Sequence, residues 1–317
     1  MKKIELVTKD ELEIRLGECL EQRQMPDYFL YLDDSGVRNW LALDNSKEFT
    51  VASRLTDLLR QNLPAITAHI SGKFDMVSIG VGNGEKERVL LEVLGQRLIT
   101  TYYAVDISSE MVDQAINAVA HLNIEKTGVV AFLEDLPRLR RLWNSPVLLC
   151  LLGNNFGNYD PGYLLETVHA QLQDDDLFLF DCHLFPSKRE EQERALEQME
   201  QTYHSPLNVR FNLAPLIQRG VSPDDCAFHL HFLPVETSLG ITYQTKKWIE
   251  ILKDTTASCG PKKVLLRAGD TIRMGFTTKH TPFQVRGYLQ QHGFQEVALF
   301  LSPDEDNLLV LVQKQPA

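Results

Sequence analysis

No two of the five cysteines in this 317-residue chain form a Cys-x-x-Cys pair; they are scattered at positions 19, 150, 182, 226 and 259. This rules out zinc-ribbon spacing and reads as reduced thiols rather than a disulfide framework. Excess positive charge is also missing. The 32 Lys and Arg face 43 Asp and Glu, a net charge of −11, and no basic run breaks the balance. A nucleic-acid partner, which needs a basic face to displace counterions from phosphate, is therefore not expected. No apolar run reaches the ~18 residues of a membrane span. The two N-terminal lysines lead into a charged amphipathic segment, not the apolar centre of a signal peptide. Internal repeats and low-complexity tracts are lacking as well. What remains, 44% hydrophobic and 24% charged, is the composition of a globular protein with one large or two modest domains, expected in the cytoplasm as a monomer or weak dimer.

Apolar periodicity predicts a helix over 8–24 behind a Thr8 cap, with Leu12, Leu16 and Leu20 on one face, and another over 50–63. From residue 74 strands and helices alternate. "FDMVSIG", "TTYYAVDI", "GVVAFLED", "PVLLCLLG" and "DLFLFDCHLF" read as five buried strands of a parallel sheet with helices on both faces. A charged helix over 188–202 and alternating segments over 226–250 interrupt this rhythm; the latter read as antiparallel strands. The chain closes with a helix, a strand, the polar turn "SPDEDN" and a final apolar strand, a hairpin that puts one antiparallel strand into the parallel sheet.

After the first of the five strands stands "SIGVGNGEKE". A dinucleotide fingerprint needs GxGxxG, and here the third glycine, Gly84, comes one place early; a phosphate loop needs Gly-Lys-Ser/Thr, which is absent. Gly80, Gly82 and Gly84 instead resemble the GxGxG loop of class I S-adenosylmethionine (SAM)-dependent methyltransferases. Asp106 ends the next strand, at the sheet edge where ligands bind in such folds, and can accept from both ribose hydroxyls. Asp135, after the third strand, is placed to accept from an adenine amino group. At the end of the fourth strand "LLGNNFGNYDP" presents Asn154, Asn155 and Asn158, suited both to substrate contact and to a tight turn.

The stretches "PDYFLYLDDSG", "LLGNNFGNYDP", "YHSPLNVRFNLAPL" and "GDTIRMGFTTKHTP" resemble, in order and spacing over nearly the whole chain, the histidine-specific methyltransferase family. That family includes the enzyme of ergothioneine synthesis and fungal prenyltryptophan N-methyltransferases. The resemblance implies an α/β, class I SAM-dependent methyltransferase fold: a Rossmann-like, seven-stranded sheet with a terminal antiparallel hairpin (64–200 and 281–317), plus a smaller α+β substrate-binding lid (1–63 and 201–280). It implies that Tyr31 closes over the cofactor and that Lys86 contacts it. It also implies that Asn158 and Tyr203 hold a substrate carboxylate and that Thr277 meets the substrate side chain. The acid that recognises histidine in the family falls at Gly275, where no carboxylate stands. Losing a buried polar partner costs discrimination, so histidine itself is not the expected acceptor, and the space at Gly275, between Met274 and Phe276, suggests a larger or more apolar side chain.

Methyl transfer from a sulfonium to a neutral amine creates no net charge, so positioning can supply much of the rate and no catalytic base is named. The expected function is SAM-dependent N-methylation of an amino acid or related small amine. The alternatives are O-methylation, with His183 or His280 as base, and SAM binding without turnover. His229 and His231 share a strand face but lack a third metal ligand. Cys182 and His183 are adjacent in a strand and cannot pair.

Overall fold

The computed structural model describes residues 2–46, 51–144 and 146–315. Its large sheet has eight strands in the order Lys2–Glu5, Glu125–Val130, Ile99–Asp106, Phe74–Ile79, Val147–Leu151, Leu177–His183, Asn307–Lys314 and Phe294–Leu301. The first six are mutually parallel, and Asn307–Lys314 runs antiparallel to both of its neighbours. Phe74–Ile79 is buried at every position, as expected of a central strand covered on both faces. Two apolar clusters cover those faces, one around Val77, Leu149, Phe178 and Val310, the other around Met76, Leu90, Ala104 and Leu309.

The edge strand Lys2–Glu5 makes the sheet eight-stranded rather than seven. Only Ile4 and Leu6 alternate there, too short a run to signal a strand. Pairing with Glu125–Val130 and the Lys3–Asp113 ion pair (2.8 Å) hold it in place. The capped helix follows as Lys9–Glu21, with Thr8 and Glu11 forming a capping box.

A second, five-stranded sheet is centred on Gly240–Ile251, which pairs with Cys226–Thr237, Thr271–Met274 and Thr278–Lys279; Gln24–Met25 joins beyond Thr271–Met274. Its apolar cluster draws on residues 16–43 and 211–272. Three elements pack across the expected division. Residues 2–5 lie in the large sheet, and the helix Val51–Ala68 packs Leu58, Leu59, Leu63 and Ile66 against it. The helix Arg189–Tyr203 turns Leu196 and Met199 toward the second cluster. Residues 47–50, where the second predicted helix begins, lie outside the described residues.

The order of connection reverses at Phe74–Ile79, whose neighbours Ile99–Asp106 and Val147–Leu151 are reached in opposite directions. Ligands bind at the carboxyl ends of the strands beside such a switch point.

Candidate active site

At this switch point the chain turns from Phe74–Ile79 into the helix Glu85–Leu98 through Gly80, Gly82 and Gly84, with φ of +66°, +53° and +75°. Side chains rarely tolerate this left-handed region. The three glycines have different neighbours. A Cβ on Gly80 would stand 2.9 Å from Asn155 Nδ2, and one on Gly84 would stand 2.5 Å from Ala115 Cα, so Gly84 lets the helix Ser109–Ala118 pass. A Cβ on Gly82 would meet nothing within 4 Å. Gly82 is thus the glycine that leaves backbone open to a ligand.

Gly82 N donates to Asp106 Oδ2 (3.1 Å), and Ser108 N donates to Oδ1 (2.9 Å). Burial pushes the Asp106 carboxyl up to about 6, against the pull of these backbone donors. Tyr31 stands close by. Burial first, then Asp27, Asp106, Asp44 and Tyr159, hold its hydroxyl well above the usual phenol range. Its ring packs edge-on to Trp40 (5.8 Å) and Phe211 (5.4 Å). Burial also raises the Asp44 carboxyl, which Lys86 partly offsets. Asp44 Oδ1 is buried and has no hydrogen-bond partner among the described residues.

Asp135 is differently occupied. Its oxygens accept from Phe132 N (3.2 Å) and Arg138 (2.9 Å), one bond to each, so the carboxylate also closes its own turn. The neighbouring Phe132 ring forms an apolar wall with Tyr28 (5.0 Å), and the Arg15 guanidinium lies over it (4.7 Å).

Across the crevice, Asp181 accepts from Gly153 N and Asn154 N and fixes the turn after Val147–Leu151. Asn154 sits at φ +62° and accepts from His183 N (2.8 Å); Asn155 donates to Leu152 O (2.8 Å). These two asparagines build the turn. The exposed Asn158 accepts from the Thr277 hydroxyl (2.8 Å), which leaves its amide NH2 to donate. Lys279 Nζ lies 3.4 Å from His183 Nδ1 and 6.0 Å from the centre of the Tyr203 ring.

The surroundings of Gly275 correct the sequence reading. The space beside it is filled, because a Cβ there would stand 2.7 Å from Asp27 Cγ. Asp27 accepts from Gly275 N (3.1 Å) and forms an ion pair with the buried Lys247. A carboxylate from the N-terminal part of the chain thus stands beside position 275. The argument for an apolar substrate side chain, and against histidine, loses its basis. Sequence reasoning missed Asp27, Lys247 and Lys279. Asp27 lies inside the quoted "PDYFLYLDDSG" but had no role assigned to it, and both lysines lie in strands where an inward-facing cation would have been the only clue.

Cys182 is buried in its strand, which pushes its thiol up to about 12. His229 pairs with Glu250 (3.1 Å) and stacks on Trp248 (5.0 Å). No group of three or more metal-ligating side chains occurs among the described residues. No helix among them is long and apolar enough to cross a membrane.

An open backbone at Gly82, the Asp106 acceptor, the unpartnered Asp44 oxygen and the Lys86 ammonium suit a ligand with a ribose diol, an ammonium and a carboxylate, as SAM has. Strand order, terminal hairpin and this donor set define a class I SAM-dependent methyltransferase. The sequence profile of the histidine-specific, SAM-dependent methyltransferases matches residues 12–314, and the chain belongs to that family. It is 26% identical over 306 residues to the N-methyltransferase fsqC of Aspergillus fumigatus, covering 91% of this chain and 79% of that one. Among solved structures, it resembles a SAM-dependent methyltransferase from Clostridium acetobutylicum, with 11% identity, a TM-score of 0.48, and coverage of 88% of this chain and 99% of that one. Another is the 1,6-didemethyltoxoflavin-N1-methyltransferase of Burkholderia thailandensis, with 12% identity, a TM-score of 0.44, and coverage of 88% and 87%.

Proposed function

We propose that the protein methylates the amino group of an amino acid or a related small amine. SAM, when bound, supplies an electrophilic methyl group on its sulfonium. In this reading Asp106 orients the ribose, Lys86 and Asp44 hold the methionine tail, and Tyr31 covers the crevice to exclude water. Asn158, held by Thr277, and Tyr203 place the acceptor. An α-amino group with a pKa of roughly 7.7–8.0 is partly neutral near pH 7, so no strong base is required.

The observation that carries this reading is the state of the two imidazoles at this end of the sheet. Burial, then Lys279, pushes His183 down to about 3 and His280 down to about 4. Both are neutral and weakly basic near pH 7, a poor match for deprotonating a phenol or alcohol. The relationship to an enzyme described as an N-methyltransferase points the same way. The test is incubation of the purified protein with SAM and a panel of amino acids, histidine included, together with amines, phenols and carboxylic acids. Mass spectrometry should show a gain of one CH2 or its multiples on nitrogen. Turnover confined to phenols or acids would refute the proposal.

A further inference from the structure

We propose that Glu87, buried beneath the glycine loop, is the counter-charge by which the protein holds SAM more tightly than its demethylated product, S-adenosylhomocysteine (SAH). The two ligands share adenine, ribose and methionine tail; they differ by one methyl group and the positive charge on sulfur. This role concerns the cofactor alone and holds whatever the acceptor is.

Other buried carboxylates around the large sheet are fixed by backbone donors. Asp106 accepts from Gly82 N and Ser108 N, Asp176 from Val147 N and Gln173 N, and Asp181 from Gly153 N and Asn154 N. Glu87, 2% exposed, has a different kind of partner. Its Oε1 accepts from the Ser78 hydroxyl (2.6 Å), and it forms no ion pair among the described residues. A backbone N–H can only donate, so it favours the charged carboxylate. A hydroxyl can donate to a carboxylate or accept from a carboxylic acid, so this bond survives a change of charge. Burial pushes the Glu87 carboxyl up to about 7; Ser78, Lys86 and its own amide pull the other way, and Asp181 adds to the rise.

The surroundings leave this charge little else to respond to. Leu59 of the helix Val51–Ala68, Leu90 and Leu91 of Glu87's own helix and Ala115 of Ser109–Ala118 belong to the apolar cluster on this face of the sheet. From the strands, Tyr102, Cys150 and Asp181 face Glu87, with Lys86 beside it on the helix. Burial holds the Tyr102 phenol and the Cys150 thiol well above their usual ranges, so both stay neutral. The Tyr102 hydroxyl is buried without a hydrogen-bond partner among the described residues. Ser78 stands two residues, about 7 Å along the strand, before Gly80. A positive charge held over the loop therefore acts on Glu87 through a short path of protein. At an effective dielectric constant of about 20, a unit charge at this range is worth roughly tenfold in affinity or more. The ionised carboxylate favours the sulfonium of SAM, whereas the protonated acid contributes nothing to the choice. SAM thus drives the Glu87 proton into solvent, and SAH does not.

The test is calorimetric titration of SAM and SAH from pH 5 to 8.5 into wild type, Glu87→Gln and Ser78→Ala, with thermal melting to report the fold. The quantity read is the ratio of SAM to SAH affinity, in which contacts common to both ligands, Asp106 to ribose among them, cancel. Glu87→Gln keeps a neutral partner for Ser78 and cannot ionise. Divided by the ratio in that variant, the wild-type ratio should rise from about one at pH 5 to about ten at pH 8.5. The ligands' own amino groups titrate in both proteins and drop out of this quotient. Ser78→Ala removes a donor to the ionised form and should move the rise to higher pH. At pH 6.5, buffers of different ionisation enthalpy should show wild type releasing about half a proton more with SAM than with SAH. A quotient that stays the same from pH 5 to 8.5 would overturn the proposal and mark Glu87 as a support of the loop alone. If Glu87→Gln does not fold, the proton count in wild type decides: equal release with both ligands refutes the role.

Discussion

The cofactor side and the acceptor side of the crevice are assembled from different kinds of contact. On the cofactor side the defining hydrogen bond, Gly82 to Asp106, joins residues 24 positions apart on adjacent elements. On the acceptor side Asp27 reaches Lys247 across 220 positions and Gly275 across 248. Backbone geometry after a central strand specifies the first, and side chains from three remote segments complete the second. The first is therefore written in a short motif. The second depends on residues that no short motif holds together.

The sharpest way to break this comparison is inside the glycine loop. Gly84→Ala puts a Cβ 2.5 Å from Ala115 Cα at φ +75°, so overpacking and left-handed strain add to a cost of about 3 kcal/mol. Thermal unfolding should show a drop of several degrees. Gly82→Ala meets open space and should cost only about 1 kcal/mol of strain. It should weaken SAM binding instead, because its methyl group stands where the ligand approaches. If Gly82→Ala proves the more destabilising of the two, the division of labour within the loop is wrong.

The acceptor side is tested by moving its carboxylate. Asp27→Ala leaves Lys247 buried without its partner. Because Asp27 is itself 26% exposed, the loss should be about 2 kcal/mol, below the usual cost of breaking a fully buried pair. Gly275→Glu alone should also destabilise, since its side chain starts inside the Asp27 carboxylate. The double variant D27A/G275E frees that space and returns an acid to it, and should recover stability that neither single change retains. Additive losses in denaturant unfolding would show that the two positions do not share one site.

The same contrast decided what could be read in advance. The five alternating strands and the terminal hairpin were legible because each depends on local periodicity. The strand Lys2–Glu5 was not, since four residues with one half-buried apolar side chain carry too little pattern without their partner. A carboxylate at a strand end, as at Asp135, looks the same in sequence whether it awaits a ligand or caps its own turn. The acceptor side was hidden for a deeper reason: a single sequence shows that no acid stands at 275 but not that the Asp27 carboxylate packs beside it. Lys279 looked like any surface lysine until burial removed the water around it.

The smallest expected effect concerns Asp106, and its sign separates binding from stability. Its carboxyl, lifted to about 6 by burial, must be ionised to accept from ribose hydroxyls, so SAM affinity should fall as pH drops below about 6 and level off above it. Asp106→Asn cannot ionise; it should bind SAM roughly tenfold more weakly at pH 8, the cost of a lost charged acceptor, and show no such fall. Any pH dependence left near 7 in that variant belongs to Glu87, which is buried beneath the loop against Ser78 (2.6 Å) and pushed up to about 7. Stability of the free protein runs the other way. A carboxyl raised in the folded state favours folding below its ordinary value near 3.8, and that contribution is lost as pH rises through about 6. Wild type should therefore melt below Asp106→Asn at pH 8, and the gap should close toward pH 4, where the wild-type acid is protonated and resembles the amide. A gap that widens in acid would mean that Asp106 is ionised in the free protein throughout. The ribose would then meet a carboxylate below pH 6 as well as above it.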